Sequence, residues 1–202
     1  MPISTINRRQ LLAGLTGLGA IAVTPNGASA MTQAQARSLI DNVMSDIHAI
    51  INSGGSEARM LVRFESIFND YGDVPIIARS VLGPPARSAS AGQMRAFTAA
   101  FRTYLSRKYG RQFRRFIGAT ADVNDAHTLQ SFWEVETTMT LRGQAPFDVR
   151  WHVSDRSGSN RFFNIIIEGV NVLAAERQEI GTMLERRGGN LDRMIQDLEN
   201  IG

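Results

Sequence analysis

The sequence predicts an α+β domain, an antiparallel meander of about four strands packed with N-terminal and C-terminal helices. Three observations predict it. Apolar residues recur at helical spacing through the first half, the period shortens to two from about residue 116, and it lengthens again after about residue 172.

The first helix opens at Thr32–Gln35, which has the form of a capping box: a hydroxyl and an amide satisfy two N–H groups that a helix start leaves free. Leu39, Ile40, Val43, Ile47, Ile50 and Ile51 form its apolar stripe, and Ser53-Gly54-Gly55-Ser56 ends it. A second helix carries Met60, Leu61, Phe64, Ile67, Phe68 and Tyr71 on one face and stops at Gly72. Asp73-Val74-Pro75 opens a short third helix, closed by Gly83-Pro84-Pro85. Ser90 and Gln93 make another capping box, for a long helix with the stripe Met94, Phe97, Phe101, Leu105 and Tyr109.

Beyond it, Trp133, Val135, Thr137, Met139 and Leu141 alternate with polar neighbours, and after a turn at Arg142-Gly143-Gln144 so do Phe147, Val149, Trp151 and Val153. Alternation marks strands with one buried face. The continuous run Phe162 to Ile167 predicts a strand covered on both faces, and a further strand is expected around Ala119 to Val123. Helix resumes from Leu173 to Arg187, breaks at Gly188-Gly189, and ends with Leu191, Met194, Ile195 and Leu198.

Residues 1–30 stand apart. Arg8 and Arg9 precede an uncharged apolar run from Leu11 to Val23, and Ala28-Ser29-Ala30 is a small-x-small cleavage pattern. The run falls short of the roughly 20 residues a bilayer span needs, so it reads as a removable export signal. Asn7-Arg8-Arg9-Gln10-Leu11-Leu12 has twin-arginine form, although paired arginines also occur in general secretory signals. Residues 31–202 are then a single domain, expected free in the periplasm. The sequence has no cysteine, hence no disulfide, thiolate metal site or lipoprotein anchor.

Without the signal, 20 basic residues face 19 acidic ones, unevenly spread. Between Val74 and Ala121 lie nine cations and no carboxylate, with Arg102, Arg107, Arg111, Arg114 and Arg115 expected on the outer faces of the long helix and beyond it. Such a stretch fits either an anionic docking partner or a solvated helix face. The chain lacks a nucleic-acid motif, and no nucleic-acid partner is expected.

Reactive constellations are sparse. His48, His127 and His152 have no metal-ligand spacing, so no metal site is expected. Glu134 and Glu136 share a strand face and read as its solvated side, with paired-carboxylate chemistry the alternative. Asp122, Asp125 and His127 read as turn residues. There is no nucleophile elbow or phosphate loop.

The segment Asp73-Val74-Pro75-Ile76-Ile77-Ala78-Arg79-Ser80-Val81-Leu82-Gly83, continuing through Arg87-Ser88-Ala89-Ser90 to Gln93, resembles the MlaC family of periplasmic phospholipid-binding proteins, auxiliary components of an ABC transporter. Gln93, Phe97, Phe101, Leu105 and Tyr109 are similar to the family's long helix, and Ile167-Glu168-Gly169-Val170 with Arg177 to its C-terminal block. The sequence departs from the family pattern at Ala86, Asn160, Phe163, Asn164 and Asn171, and at Glu176, where the family has tyrosine.

The resemblance implies an apolar pocket between sheet and helices that takes acyl chains, with no cofactor and no catalysis. The expected lining is Phe97, Phe101, Trp133, Val135, Met139, Val149, Trp151, Phe163, Ile165 and Ile167; plain core packing is the other role open to the two tryptophans. The implied partners are phospholipid, an inner-membrane ABC transporter with an MCE protein, and an outer-membrane lipoprotein complex. A hopanoid or other apolar ligand is an alternative cargo, and a small isomerase or dehydratase an alternative function.

Overall fold

The computed structural model describes residues 30–111 and 116–201. The export signal therefore lies outside the described residues except for Ala30, and so do Arg114 and Arg115.

Helices α1 (Gln33–Ile51), α2 (Glu57–Tyr71), α3 (Val74–Leu82) and α4 (Ala91–Gly110) come first, with a short 3-10 turn at Pro84–Arg87. Strands β1 (Thr120–Leu129), β2 (Phe132–Thr140), β3 (Phe147–Ser154), β4 (Arg161–Ile167) and β5 (Val170–Asn171) follow, then α5 (Val172–Arg186) and α6 (Leu191–Asn200). Both capping boxes form: Thr32 and Gln35 bond reciprocally at the start of α1, as do Ser90 and Gln93 at the start of α4. Asp73 caps α3, and its backbone N–H donates to Phe162 O at 2.8 Å, which ties the entry of α3 to β4.

The strands form one antiparallel sheet in the order β1-β2-β3-β4-β5. Register decides which residues share a face. Val135 lies opposite Trp151 and Trp151 opposite Ile165; Thr137 lies opposite Val149 and Val149 opposite Ile167. Side chains alternate along each strand, so these six point to one side. Glu134, His152 and Asn164 occupy the other side in the neighbouring row. The helices cover the first side: α1 packs on β1 and β2, α3 and α5 on β4, and α4 lies between α2 and α6. Phe97 and Phe101, fully buried one turn apart on α4, stack with centroids 5.5 Å apart.

Two expectations need correction. The first strand is twice as long as expected, because Asp122, Asp125 and His127 lie within β1 and not in a turn. A register shift between Val123 and Asp125 accommodates the polar run, and Asn124 Nδ2 reaches Thr138 Oγ1 on β2 at 2.7 Å. Edge-strand pairing here overrides local turn preference. Secondly, a fifth strand of two residues adds to the meander. It follows a tight turn in which both Glu168 (φ 47°) and Gly169 (φ 81°) are left-handed, a geometry glycine adopts without steric cost.

Candidate functional site

Between the inner face of the sheet and the helices lies a cavity of about 330 Å³, within the size range of small-molecule sites. Met44 and Ile47 of α1, Phe64 and Phe68 of α2, and Ile77 and Val81 of α3 line one side. Phe101, Leu105 and Tyr109 of α4 close another, and Met139, Phe147, Val149, Trp151 and Ile165 supply the sheet wall. Phe116 also lines it. Helical spacing of four on α4 and strand spacing of two on β3 are what aim these side chains into one space. Ile167 lines the cavity yet is 38% exposed, so the space reaches the surface beside the β4–β5 turn, where its strand partner Val170 is also exposed. Met44 and Met139, unbranched and soft, make that part of the wall easy to repack.

Seven of the ten residues expected to line a pocket do so: Phe101, Met139, Val149, Trp151, Phe163, Ile165 and Ile167. The other three do not. Phe97 and Val135 are fully buried in the packed core. Trp133 packs at the far end of β2, where its indole Nε1 donates to Met31 O at 2.9 Å and holds the start of the domain against the sheet. Spacing gives the face of each residue, but which part of a face stays unfilled depends on helix placement.

The lining contains one carboxylate, which periodicity and composition do not single out as a site. Glu176 lies in α5 on the stripe of Leu173, Ile180, Met183 and Leu184, and is 2% exposed. Besides its departure from the family pattern, a charged residue inside an apolar stripe at helical spacing was the signal for it in the sequence. Its Oε1 accepts from Lys108 Nζ at 2.7 Å and from Tyr109 Oη at 2.5 Å; Lys108 Nζ also lies 2.9 Å from Tyr104 Oη. Burial and the hydrogen bond to Glu176 push the Tyr109 phenol far above its ordinary range. Burial also raises Tyr104, against the opposing pull of Lys108. Burial on its own would lower Lys108, but its bonds to Glu176 and Tyr104 outweigh that and raise it. Asn164 belongs to the row on the other side of the sheet yet also borders the cavity at its α5 edge, where its Oδ1 accepts from Leu173 N at 3.2 Å and ties β4 to α5.

A second polar cluster lies on the opposite face of the sheet and corrects two expectations. Glu134 is not on a solvated face; it is 5% exposed. Nor does the lack of ligand spacing keep two of the three histidines apart: His152 Nε2 is 2.9 Å from Glu134 Oε2, and His127 Nε2 is 3.6 Å from Glu134 Oε1. The Phe132 ring packs at a tilt against His152, with centroids 4.7 Å apart. Glu136 is about half exposed, as a solvated face requires. His127, Glu134 and Glu136 bring one potential ligand atom each within 4.8 Å of one another. Arg150 Nη1, 3.6 Å from Glu134 Oε1, already supplies positive charge there, and a metal cation would have to compete with it.

The arginines divide as well. Arg102, expected free on the helix surface, bonds Glu65 Oε1 at 2.9 Å and Asn69 Oδ1 at 2.9 Å. Arg107 donates to Glu199 O and Ile201 O, satisfying carbonyls at the end of α6. A stretch without acids in sequence meets its acids and carbonyls across the fold. Arg111 is exposed.

Among the described residues no helix is long and apolar enough to cross a membrane. The model of the MlaC protein family matches residues 37–200. A solved structure of a phospholipid-binding protein from Ralstonia solanacearum, in complex with a phospholipid, has the same fold: the TM-score is 0.69 at 16% identity, over 82% of this chain and 95% of that one. Since the family match spans most of the sequence, the chain belongs to the MlaC family, as the resemblance of its Asp73–Gln93 and Ile167–Arg177 segments implied.

Proposed function

We propose that this MlaC-family protein is a lipid carrier, which encloses phospholipid acyl chains in the cavity and moves them through the periplasm between the outer membrane and an inner-membrane ABC transporter bearing an MCE protein. The single observation that carries this reading is the hydrocarbon-walled cavity that opens at Ile167. Each methylene transferred from water into such a wall gains about 0.8 kcal/mol. An acyl chain therefore crosses an aqueous compartment only inside a comparably apolar space. Release remains feasible because the membrane offers the chain the same environment, so the protein needs no reactive group. The lining agrees: beyond Glu176, whose Oε1 is already held by Lys108 and Tyr109, it contains no histidine and no second carboxylate among the described residues.

Residues 1–30 serve, on this reading, as the export signal, and an outer-membrane lipoprotein complex is the second docking partner. Mass spectrometry of an organic extract of the protein, exported and purified without a delipidation step, tests the proposal. About one diacyl lipid per chain is expected; lipid-free protein from lipid-replete cells would overturn it.

A further inference from the structure

On the face of the sheet turned away from the cavity, one carboxylate is only half satisfied. Glu134 is buried, yet among the described residues only its Oε2 makes a hydrogen bond, with His152 Nε2 at 2.9 Å. The two donors that approach Oε1, His127 Nε2 and Arg150 Nη1, both stop at 3.6 Å, beyond ordinary hydrogen-bond length. Asn164 fixes what His152 can do. Its Oδ1 accepts the backbone N–H groups of Ile165 and Leu173, so its amide nitrogen is the atom turned to His152 Nδ1, at 3.3 Å. A donating amide makes Nδ1 the acceptor, and the ring proton then sits on Nε2 and is donated to Glu134. Both nitrogens of His152 are in use, and it holds Glu134 with Oε1 toward His127. In the sheet register His127 lies directly opposite Glu134, and Glu136 follows two residues along β2 on the same face.

We propose that His127, Glu134 and Glu136 bind a divalent transition-metal ion of the zinc type, with water completing its coordination. One imidazole and two carboxylates suit such an ion, whereas calcium and magnesium favour all-oxygen sets. Bonds of about 2.1 Å place tetrahedral ligand atoms roughly 3.4 Å apart. Here the three candidate atoms lie within 4.8 Å of one another, with His127 and Glu134 already at 3.6 Å. The side chains of His127 and Glu136 are 42% and 46% exposed, which gives them room to close the difference and leaves solvent access for the water ligands. The bond from His152 supplies the outer support that a ligating carboxylate ordinarily has. Arg150 is the competitor, but it is 44% exposed and holds Glu134 by no hydrogen bond, so a dication displaces it at little cost. The bound ion would clamp the edge strand β1 to β2 just beyond the register shift between Val123 and Asp125.

The test titrates the exported protein, purified without a histidine tag and stripped with a chelator, with Zn²⁺ in a non-coordinating buffer at neutral pH, read by calorimetry and by melting. The chain has no cysteine, so no thiolate competes for the ion. One saturable zinc per chain is expected, with a rise in melting temperature that magnesium and calcium at the same concentration do not reproduce. His127→Ala and Glu136→Gln, both at exposed positions that the fold tolerates, should each weaken binding about tenfold or more. Arg150→Gln should tighten it, because the competing cation is gone. His152→Ala should weaken it, and His152→Gln, which keeps an N–H donor for Glu134, should retain most of the affinity. No saturable zinc binding would overturn the proposal. So would binding indifferent to both His127→Ala and Glu136→Gln, or binding that Arg150→Gln weakens. Because those variants alter partly exposed side chains, the outcome does not depend on how a Glu134 variant folds.

Discussion

The backbone N–H of Met31 donates to the Asp155 carboxylate at 2.8 Å, and Met31 is itself buried. Cleavage after Ala30 would turn this N–H into an α-ammonium group, and the hydrogen bond into an ion pair closing the N-terminus onto the β3–β4 turn. The exported protein should therefore begin at Met31 on N-terminal sequencing. Asp155→Ala should cost about 1–2 kcal/mol in the cleaved form, as expected of a charged hydrogen bond, and less in a form that retains the signal. A start more than a residue or two away, or equal costs in both forms, would count against the idea.

The lipid-cavity reading places a demand on Ile165. Its side chain lines the cavity from β4 opposite Trp151. Ile165→Asp puts a carboxylate into a hydrocarbon wall, at a cost of several kcal/mol unless it takes up a proton. The lipid-to-protein ratio should fall several-fold at neutral pH and recover partly in acid. A ratio unchanged by the substitution would place the acyl chains elsewhere.

Glu134 yields the opposite expectation. It lies on the far face of the sheet, buried between His152 and His127. Glu134→Ala takes the carboxylate away from the largely buried His152 and should cost about 1–3 kcal/mol in chemical denaturation. Glu136→Ala, half exposed, should stay within about 0.5 kcal/mol. Lipid loading should not change in either variant.

That pair shows what was legible in the sequence and what was not. Helix starts at Thr32 and Ser90, the change of period near residue 116 and the shared strand face of Val149 and Trp151 follow from local chemistry, and all are present in the fold. Glu134 and Glu136 have the same type, spacing and alternation, yet only one is buried. The difference arises from Phe132, His152 and a β1 strand whose register no local pattern specifies. Glu176 was hidden for the same reason: Lys108 and Tyr109 are 68 and 67 residues away in sequence.

The basic stretch should behave as three separate groups. Arg111→Glu alters only exposed charge, so it should weaken association with anionic vesicles, and salt should mimic it, since exposed charges are screened over about 8 Å at physiological strength. Arg102→Glu places a second carboxylate beside Glu65, and Arg107→Glu removes the donor from the carbonyls of Glu199 and Ile201. Both should lower the melting temperature. Surface-binding and melting measurements on the three variants separate these effects; uniform loss of vesicle binding without loss of stability would restore a purely surface role for all three.

The Glu176 cluster should also give the protein an alkaline limit. The folded state holds Tyr109, Tyr104 and Lys108 with raised affinity for their protons, Tyr109 most of all. Below the ordinary values of these groups, near 10, each is protonated folded or unfolded, and the interactions contribute fully. As pH rises past that point the unfolded chain releases protons that the folded chain still holds, so stability falls with increasing pH. Tyr109→Phe removes one such group together with its hydrogen bond to Glu176. The variant should be about 1–2 kcal/mol less stable at neutral pH, with a shallower decline between roughly pH 9 and 11. Melting curves across that range, with tyrosinate absorbance followed in parallel, provide the check: wild-type tyrosines that all ionise as free tyrosine does, with no alkaline loss of stability, would show that the cluster does not hold its protons.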